Sequence, residues 1–327
     1  MESDPIRVAV IGTGRHTRQI LLPALLRSQG IRVVTLATAH PETAAAAQQE
    51  LGFPAVVGAE TVLARSDVEA VVVATSGASL SQFTAAALAA GKHVFCETPG
   101  IRTPEEAQAV GTALRQSDRV LAYGTCLRYA PIYQQLRALL PEVRTAEGVV
   151  LTLRYYEWLR HIYDLALYLL GDVAAVTSLR RAGQHVTLLE FAAGDLAMVH
   201  GGGPPNVAIP MELAEVSGPS GLLSARGARE LWSYRGLPSV SSMDVAFDSA
   251  PATVWAPSAS IPYASLTPLT LRGYVPELES FAQSVRTGAP TLSGLDQAER
   301  TLRLERAVAR AEAEGSRVTV EPPFSLA

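Results

Sequence analysis

The sequence has almost no lysine. Of 27 cationic residues in a chain of 327, Lys92 is the single lysine and the rest are arginines. Arginine stays protonated at any working pH and cannot carry a proton in a reaction, so a mechanism that needs a lysine has one candidate. Cysteine is nearly as scarce. Cys96 and Cys126 sit in or beside apolar runs, which excludes a disulfide framework and reads as reduced core thiols of a cytoplasmic protein. No apolar stretch reaches the roughly 18 residues of a membrane span. The start, "MESDPIRVAVIG", is acidic and enters a strand at once, which argues against a signal peptide. A net charge of −4 provides no basic patch, so neither nucleic acid nor membrane is an expected partner. No clustered metal-ligand spacing occurs, and no metal is expected.

What is present is a large apolar fraction, 48% of residues, in a chain long enough for two domains. From residue 6 to 124, apolar runs of strand length alternate with helical stretches. "IRVAVIG", "IRVVTLAT", "VEAVVVAT", "HVFCE" and "RVLAYG" are the longer strands, and Ala-rich helices lie between them. Alternation of this kind implies a doubly wound parallel sheet covered on both faces. A boundary is expected at 125/126, with residues 126–327 forming a second domain. There "HVTLLEFAAGDLAMVHG" and "VAIPMELAEVSGPSGLLSARG" read as hairpins of an open, mainly antiparallel sheet. Helices are expected near 274–287 and 294–314, with a last strand in "SRVTV". Gly/Pro-rich stretches at 201–206 and 257–268 read as loops.

In a doubly wound sheet, ligands bind beyond the carboxyl ends of the strands. The first strand-to-helix turn, "GTGRHT", supplies Gly12 for a tight turn and Gly14 for close approach of a pyrophosphate. Thr17 stands where a third glycine is usual. The second strand ends "LATAH", with Thr38 and His40 and no acid to bind ribose hydroxyls. Loss of that acid removes repulsion against a 2′-phosphate, so NADP is the expected cofactor ahead of NAD.

The glycine turn, "VEAVVVAT", "ALAAGKHVFCETP" and the later "LRYAP" together resemble the glucose–fructose oxidoreductase, inositol dehydrogenase and rhizopine-catabolism (Gfo/Idh/MocA) family. The resemblance is nearly continuous over the first 131 residues and thinner beyond. It implies a Rossmann domain followed by an α/β domain on an open sheet, and hydride transfer to or from a sugar or cyclitol carbon. It also implies cofactor contacts from Gly12, Thr13, Gly14, Arg15, His16, Thr75, Ser76 and Glu97. In such enzymes the fifth strand typically ends Glu-Lys-Pro, the lysine acting on the reacting oxygen. Here the place reads Glu97-Thr98-Pro99. A threonine hydroxyl can donate a hydrogen bond but cannot shuttle a proton near neutral pH. Lys92, at the start of that same strand, belongs to the opposite edge of the sheet. A Pro and a His usual after the fourth strand are replaced by Ser76 and Leu80.

In the second domain, "YYEWLRHIYDLALYLLGD" places Glu157, His161 and Asp164 along one helical stripe. The resemblance implies that His161 is the catalytic acid/base, with Glu157 as its carboxylate. Glu97 and Thr98 complete the expected catalytic set. Tyr155, Tyr156, Trp158, Asp164 and Arg128 are the expected substrate contacts. Relatives usually have a longer connection before this helix. Thiazolinyl imine reductases of siderophore assembly resemble the same family and share the altered Glu-Lys-Pro and the short connection. The expected activity is reduction of a C=O or C=N bond in a sugar or natural-product intermediate by a cytoplasmic homo-oligomer. The alternative is a nucleotide-binding pseudoenzyme that serves as a sensor or regulatory partner.

Overall fold

The computed structural model describes residues 4–155, 159–201, 212–235, 252–257 and 268–324. The chain divides into two compact units. The first holds the chain up to Cys126 together with Gly273–Leu302 and Pro323 onward; the second holds Leu127–Arg272 and Arg303–Pro322. The chain passes from the first unit to the second near 126 and returns to the first for Gly273–Leu302.

The first unit is built on β1 (Ile6–Ile11), β2 (Ile31–Thr38), β3 (Ala55–Val57), β4 (Ala70–Val73), β5 (His93–Cys96) and β6 (Leu121–Tyr123). All pair in parallel, in the order β3-β2-β1-β4-β5-β6. Both faces are covered, which is why the central strands are continuously apolar: Val71, Val72, Val73, Val8 and Val10 have no measurable exposure. The helical connections are α1 (Leu22–Leu25), entered through a π-helical turn Thr17–Leu21, then α2 (Pro41–Leu51), α3 (Ala59–Leu63), α4 (Ser79–Ala89) and α5 (Pro104–Arg115). Thr103 caps α5 by accepting the Glu106 amide, and Pro104 fills the first helical position.

The second unit opens with α6 (Pro131–Val143), β7 (Val150–Tyr155) and α7 (Leu159–Leu170), and continues through β8 (Val173–Arg181), β9 (Gln184–Phe191), β10 (Leu196–Gly201), β11 (Leu213–Gly218), β12 (Gly221–Arg226), β13 (Glu230–Arg235), β14 (Ala252–Trp255) and the short α8 (Pro268–Leu271). After α9 (Tyr274–Thr287) come α10 (Leu295–Glu314), inside which the boundary between units falls, and β15 (Val318–Thr319). Among the described residues nine strands run β14-β13-β12-β11-β7-β10-β9-β8-β15, antiparallel except for β7 with β10. Both hairpins read from the sequence form, β9 with β10 and β11 with β12. Helices α6 and α7 cover one face, over Leu151, Leu153, Val199 and Val216. The other face carries Val150, Val186, Leu188, Leu196 and Met198, each 39–43% exposed. The expected loops at 201–206 and 257–268 lie almost wholly outside the described residues.

The returning helix α9 packs on α1 and β2 within the first unit. Phe281 is 1% exposed and meets the Phe95 ring edge-on at 5.9 Å. The Glu279 carboxylate accepts the amides of Gln29 and Gly30 just before β2. Beyond the helix, Ser293 O accepts the Tyr123 amide at 2.8 Å, extending the pairing of β6. Truncating Phe281 to Ala is expected to lower the stability of the first unit by about 3–5 kcal/mol. Denaturant unfolding followed by probes in each unit checks this, since the loss should appear in the nucleotide-binding unit although residue 281 lies far along the chain.

Candidate functional site

The site begins where β1 ends. Gly12 adopts φ +102°, and a Cβ there would lie 2.5 Å from the backbone oxygen of Ala74, so no other residue fits this turn. A Cβ on Gly14 would meet nothing within 4 Å, so the backbone there faces open space. Thr17, in the third glycine's place, is buried and donates its hydroxyl to Gly12 O at 3.0 Å. The threonine fastens the helix to the turn instead of leaving a gap beside it.

Beyond this turn lies a cavity of about 430 Å³, lined mostly by apolar surface. Of the residues expected to hold a cofactor, it brings together Gly12, Thr13, Gly14, Thr38, His40 and Thr75. Arg15 and Ser76 are exposed, and Leu80 is buried in the core. Arg18, Thr43, Glu60 and Phe83 also line the cavity and were not expected. Arg18 follows Gly14 by one helical turn, which is a signal the sequence does hold. It donates Nε to Thr13 O at 2.8 Å and pairs with Glu50. Glu60 comes from a separate helix, and nothing in its local sequence marks it.

The threonine hydroxyls beside His40 are turned toward its carbonyl. Thr38 and Thr43 both donate their hydroxyl protons to the carbonyl of His40, at 3.1 and 2.8 Å. Each therefore presents lone pairs, not a proton, to the cavity.

At the end of β5, Glu97 is only 13% exposed on its side chain, and its Oε2 accepts the Thr98 amide at 3.1 Å. Its Oε1 lies 3.4 Å from His16 Nε2. Room for the carboxylate comes from Gly124, where a Cβ would sit 3.1 Å from Glu97 Oε1. The Glu97 carboxylate 3.4 Å away holds the His16 imidazole above the usual histidine value, against the opposing effect of burial. Lys92 is at the other edge, as the strand direction requires. Its ammonium donates to Arg65 O and Val68 O at 2.6 and 2.8 Å, so the one lysine ties backbone together.

In the second unit, α7 is buried nearly all round, from Ile162 to Leu170. His161 is half-buried near its start, and Tyr155 is buried at the end of β7. Tyr156, Glu157 and Trp158 lie outside the described residues. Asp164 and Arg128, both read as substrate contacts, form a bidentate ion pair with each other, with both contacts at 2.7 Å and side-chain exposures of 1% and 4%. The Arg128 guanidinium also lies 5.4 Å from the centre of the Tyr168 ring. This pair binds the short turn at 126–129 to α7, and the partners' burial accounts for its position better than a ligand does.

Residues 6–125 match the family model described as "Oxidoreductase family, NAD-binding Rossmann fold" of Gfo/Idh/MocA proteins. Over these residues of its first unit the chain is similar to this family. It is 33% identical over 144 residues to a 1,5-anhydro-D-fructose reductase of Ensifer adhaerens, a match covering 44% of this chain and 43% of that protein. An inositol 2-dehydrogenase of Agrobacterium fabrum is 33% identical over 135 residues, 40% of each chain. The match thus spans less than half the length of these curated relatives. The whole fold is similar to levoglucosan dehydrogenase solved with NADH and levoglucosan, at a TM-score of 0.80 and 18% identity, covering 97% of this chain and all of that one.

Replacing Asp164 with Asn leaves the Arg128 charge buried beside a neutral amide. It is expected to destabilise the fold by about 3–5 kcal/mol. Thermal unfolding, with no ligand present, checks whether the pair is structural.

Proposed function

We propose that this chain is a nicotinamide-dinucleotide-dependent oxidoreductase that reduces a C=O or C=N bond of a small sugar-like or biosynthetic intermediate. The observation that carries the reading is the cradle at the end of β1, where Gly12 is pressed against Ala74 O, Gly14 is open and the cavity lies beyond Thr38. These residues fit a dinucleotide: the backbone from Thr13 to His16 suits its phosphates, and the apolar cavity suits its adenosine. The sugar and cyclitol oxidoreductases among the relatives support the substrate class.

The acceptor character of the cavity favours NAD(H). Two threonine hydroxyls with committed protons and the Glu60 carboxylate match the hydroxyl donors of an unmodified ribose. They oppose a 2′-phosphate, and Arg18 already answers Glu50. This reading replaces the NADP preference that the acid-free end of β2 suggests by itself.

The dinucleotide supplies the hydride, and the chain must supply orientation and a proton. His161 is the proposed donor, because an imidazole is the side chain whose reference value suits proton transfer near neutral pH. Thr98 is the proposed hydrogen-bonding anchor for the reacting oxygen or nitrogen. An imine reaches the same end more easily, because its nitrogen can be protonated before hydride arrives. The outward apolar side chains Leu188 and Met198 support pairing of two copies of the chain.

Fluorescence titration with NADH and NADPH side by side is the decisive test, with NADH expected to bind at least about ten-fold tighter. With ketone and imine substrates, His161→Ala is expected to lower kcat about 10²-fold at unchanged NADH affinity. Unchanged turnover removes His161 from the mechanism. NADH binding without turnover of any substrate favours the sensor reading, which the missing lysine keeps open. In a separate test, Leu188→Glu is expected to shift the sedimenting species to the monomer mass.

A further inference from the structure

The nucleotide-binding unit has no lysine at its carboxyl edge, but His16 and His40 stand there, and His16 is the one set against a carboxylate. We propose that His16, held by Glu97, is the ionisable contact of this unit to the phosphates of the bound dinucleotide, so that cofactor binding takes up a proton and weakens as pH rises. The inference rests on the dinucleotide reading above.

The geometry is specific about which atoms take part. His16 follows Gly14 by two residues and precedes the helical turn that starts at Thr17, inside the phosphate-facing segment. Its Nε2 is buried and turned toward Glu97 Oε1, 3.4 Å away, while the side chain as a whole remains 41% exposed. The inward nitrogen is thus assigned to the carboxylate, and Nδ1 is the nitrogen left for a ligand. Glu97 in turn is fixed by the Thr98 amide and by the space that Gly124 leaves.

Among the described residues, two elements bring titratable groups against this imidazole. Glu97 comes from the end of β5. Tyr274 comes from α9, its ring 6.2 Å away, and burial keeps its phenol neutral by raising its value far above the ordinary one. The other basic residues of the segment do not compete for the role. Arg18 is engaged by Thr13 O and Glu50, and Arg15, though exposed, never releases its proton.

The two protonation states differ in kind toward an anion. A neutral ring that donates Nε2–H to Glu97 presents a lone pair at Nδ1, which repels a phosphate oxygen. The protonated ring donates from Nδ1 instead, and Glu97 already favours that state. A family-type lysine would remain charged throughout the neutral range; this histidine does not.

The sign follows from linkage. The folded protein holds the proton above the usual histidine value, and an added phosphate raises it further. Affinity is therefore full below the value for the free protein and is lost as pH rises from there through the higher value for the complex. A further rise of about one pH unit on binding corresponds to a roughly ten-fold change in affinity.

The test is calorimetric titration of the full-length protein with NADH from pH 6 to 9, in pairs of buffers with different ionisation enthalpies. The expected result is net proton uptake near and above neutral pH, and a roughly ten-fold weaker Kd at pH 9 than at pH 6. In His16→Gln the uptake should vanish and the Kd should become flat with pH. In Glu97→Gln the fall in affinity should move to lower pH, because the group that holds the proton is gone. A flat Kd with no uptake in the unmodified protein, or uptake that survives in His16→Gln, overturns the inference while leaving dinucleotide binding intact. Absence of NADH binding at every pH overturns the dinucleotide reading, and this one with it.

Discussion

The parallel ladder of the first sheet decides where every functional group of that unit stands. At its carboxyl edge four backbone bonds of 2.9 Å continue the register past the strands themselves: Gly12 N to Ala37 O, Ala74 N to Ile11 O, Glu97 N to Val73 O, and Gly124 N to Cys96 O. Parallel strands in register must turn away at a common height. The first residues beyond them therefore form one row, with the glycine turn, the Ala74–Thr75 pair, the Glu97 carboxylate and Gly124 side by side. The fit of Gly12 against Ala74 and of Gly124 beside Glu97 is a consequence of that row. Gly12 is required because the neighbouring strand's backbone occupies the place of a Cβ, whereas Gly124 leaves room that a Cβ would narrow to 3.1 Å from the Glu97 carboxylate.

Much of this was legible from the sequence because it rests on local rules. Buried parallel strands are continuous apolar runs, so their alternation with helices exposes the sheet, and strand direction alone places Lys92 at the edge away from Glu97. The hairpin at Gly194-Asp195 is similarly local. What escaped depends on contacts distant in the chain or on the direction of a proton. The pattern at 274–287 identifies a helix, but only the packing of Phe281 on Phe95 shows which sheet it covers. Arg128 and Asp164 are 36 positions apart, and each alone looks like a ligand contact. Thr38 looks like a donor until the His40 carbonyl is seen to take its proton.

The same reasoning sorts the histidines, which matter because the chain's cations are nearly all arginine. His93 opens β5 at the amino edge, where its Nδ1 accepts the Val120 amide and burial lowers its value. His185 is buried on the covered face of the second sheet, and burial lowers it too. Both are thereby kept neutral and structural. His40 contributes chiefly its carbonyl, which gathers two threonine hydroxyls. His16 is the contrary case: a buried nitrogen whose carboxylate neighbour outweighs desolvation and raises its value. The difference arises from one residue, since Glu97 is the carboxylate of the altered Glu-Lys-Pro position. Thr98 beside it brings no charge of its own to that turn. A carboxylate so little exposed is most stable beside a proton donor, and the histidine of the glycine turn stands 3.4 Å away.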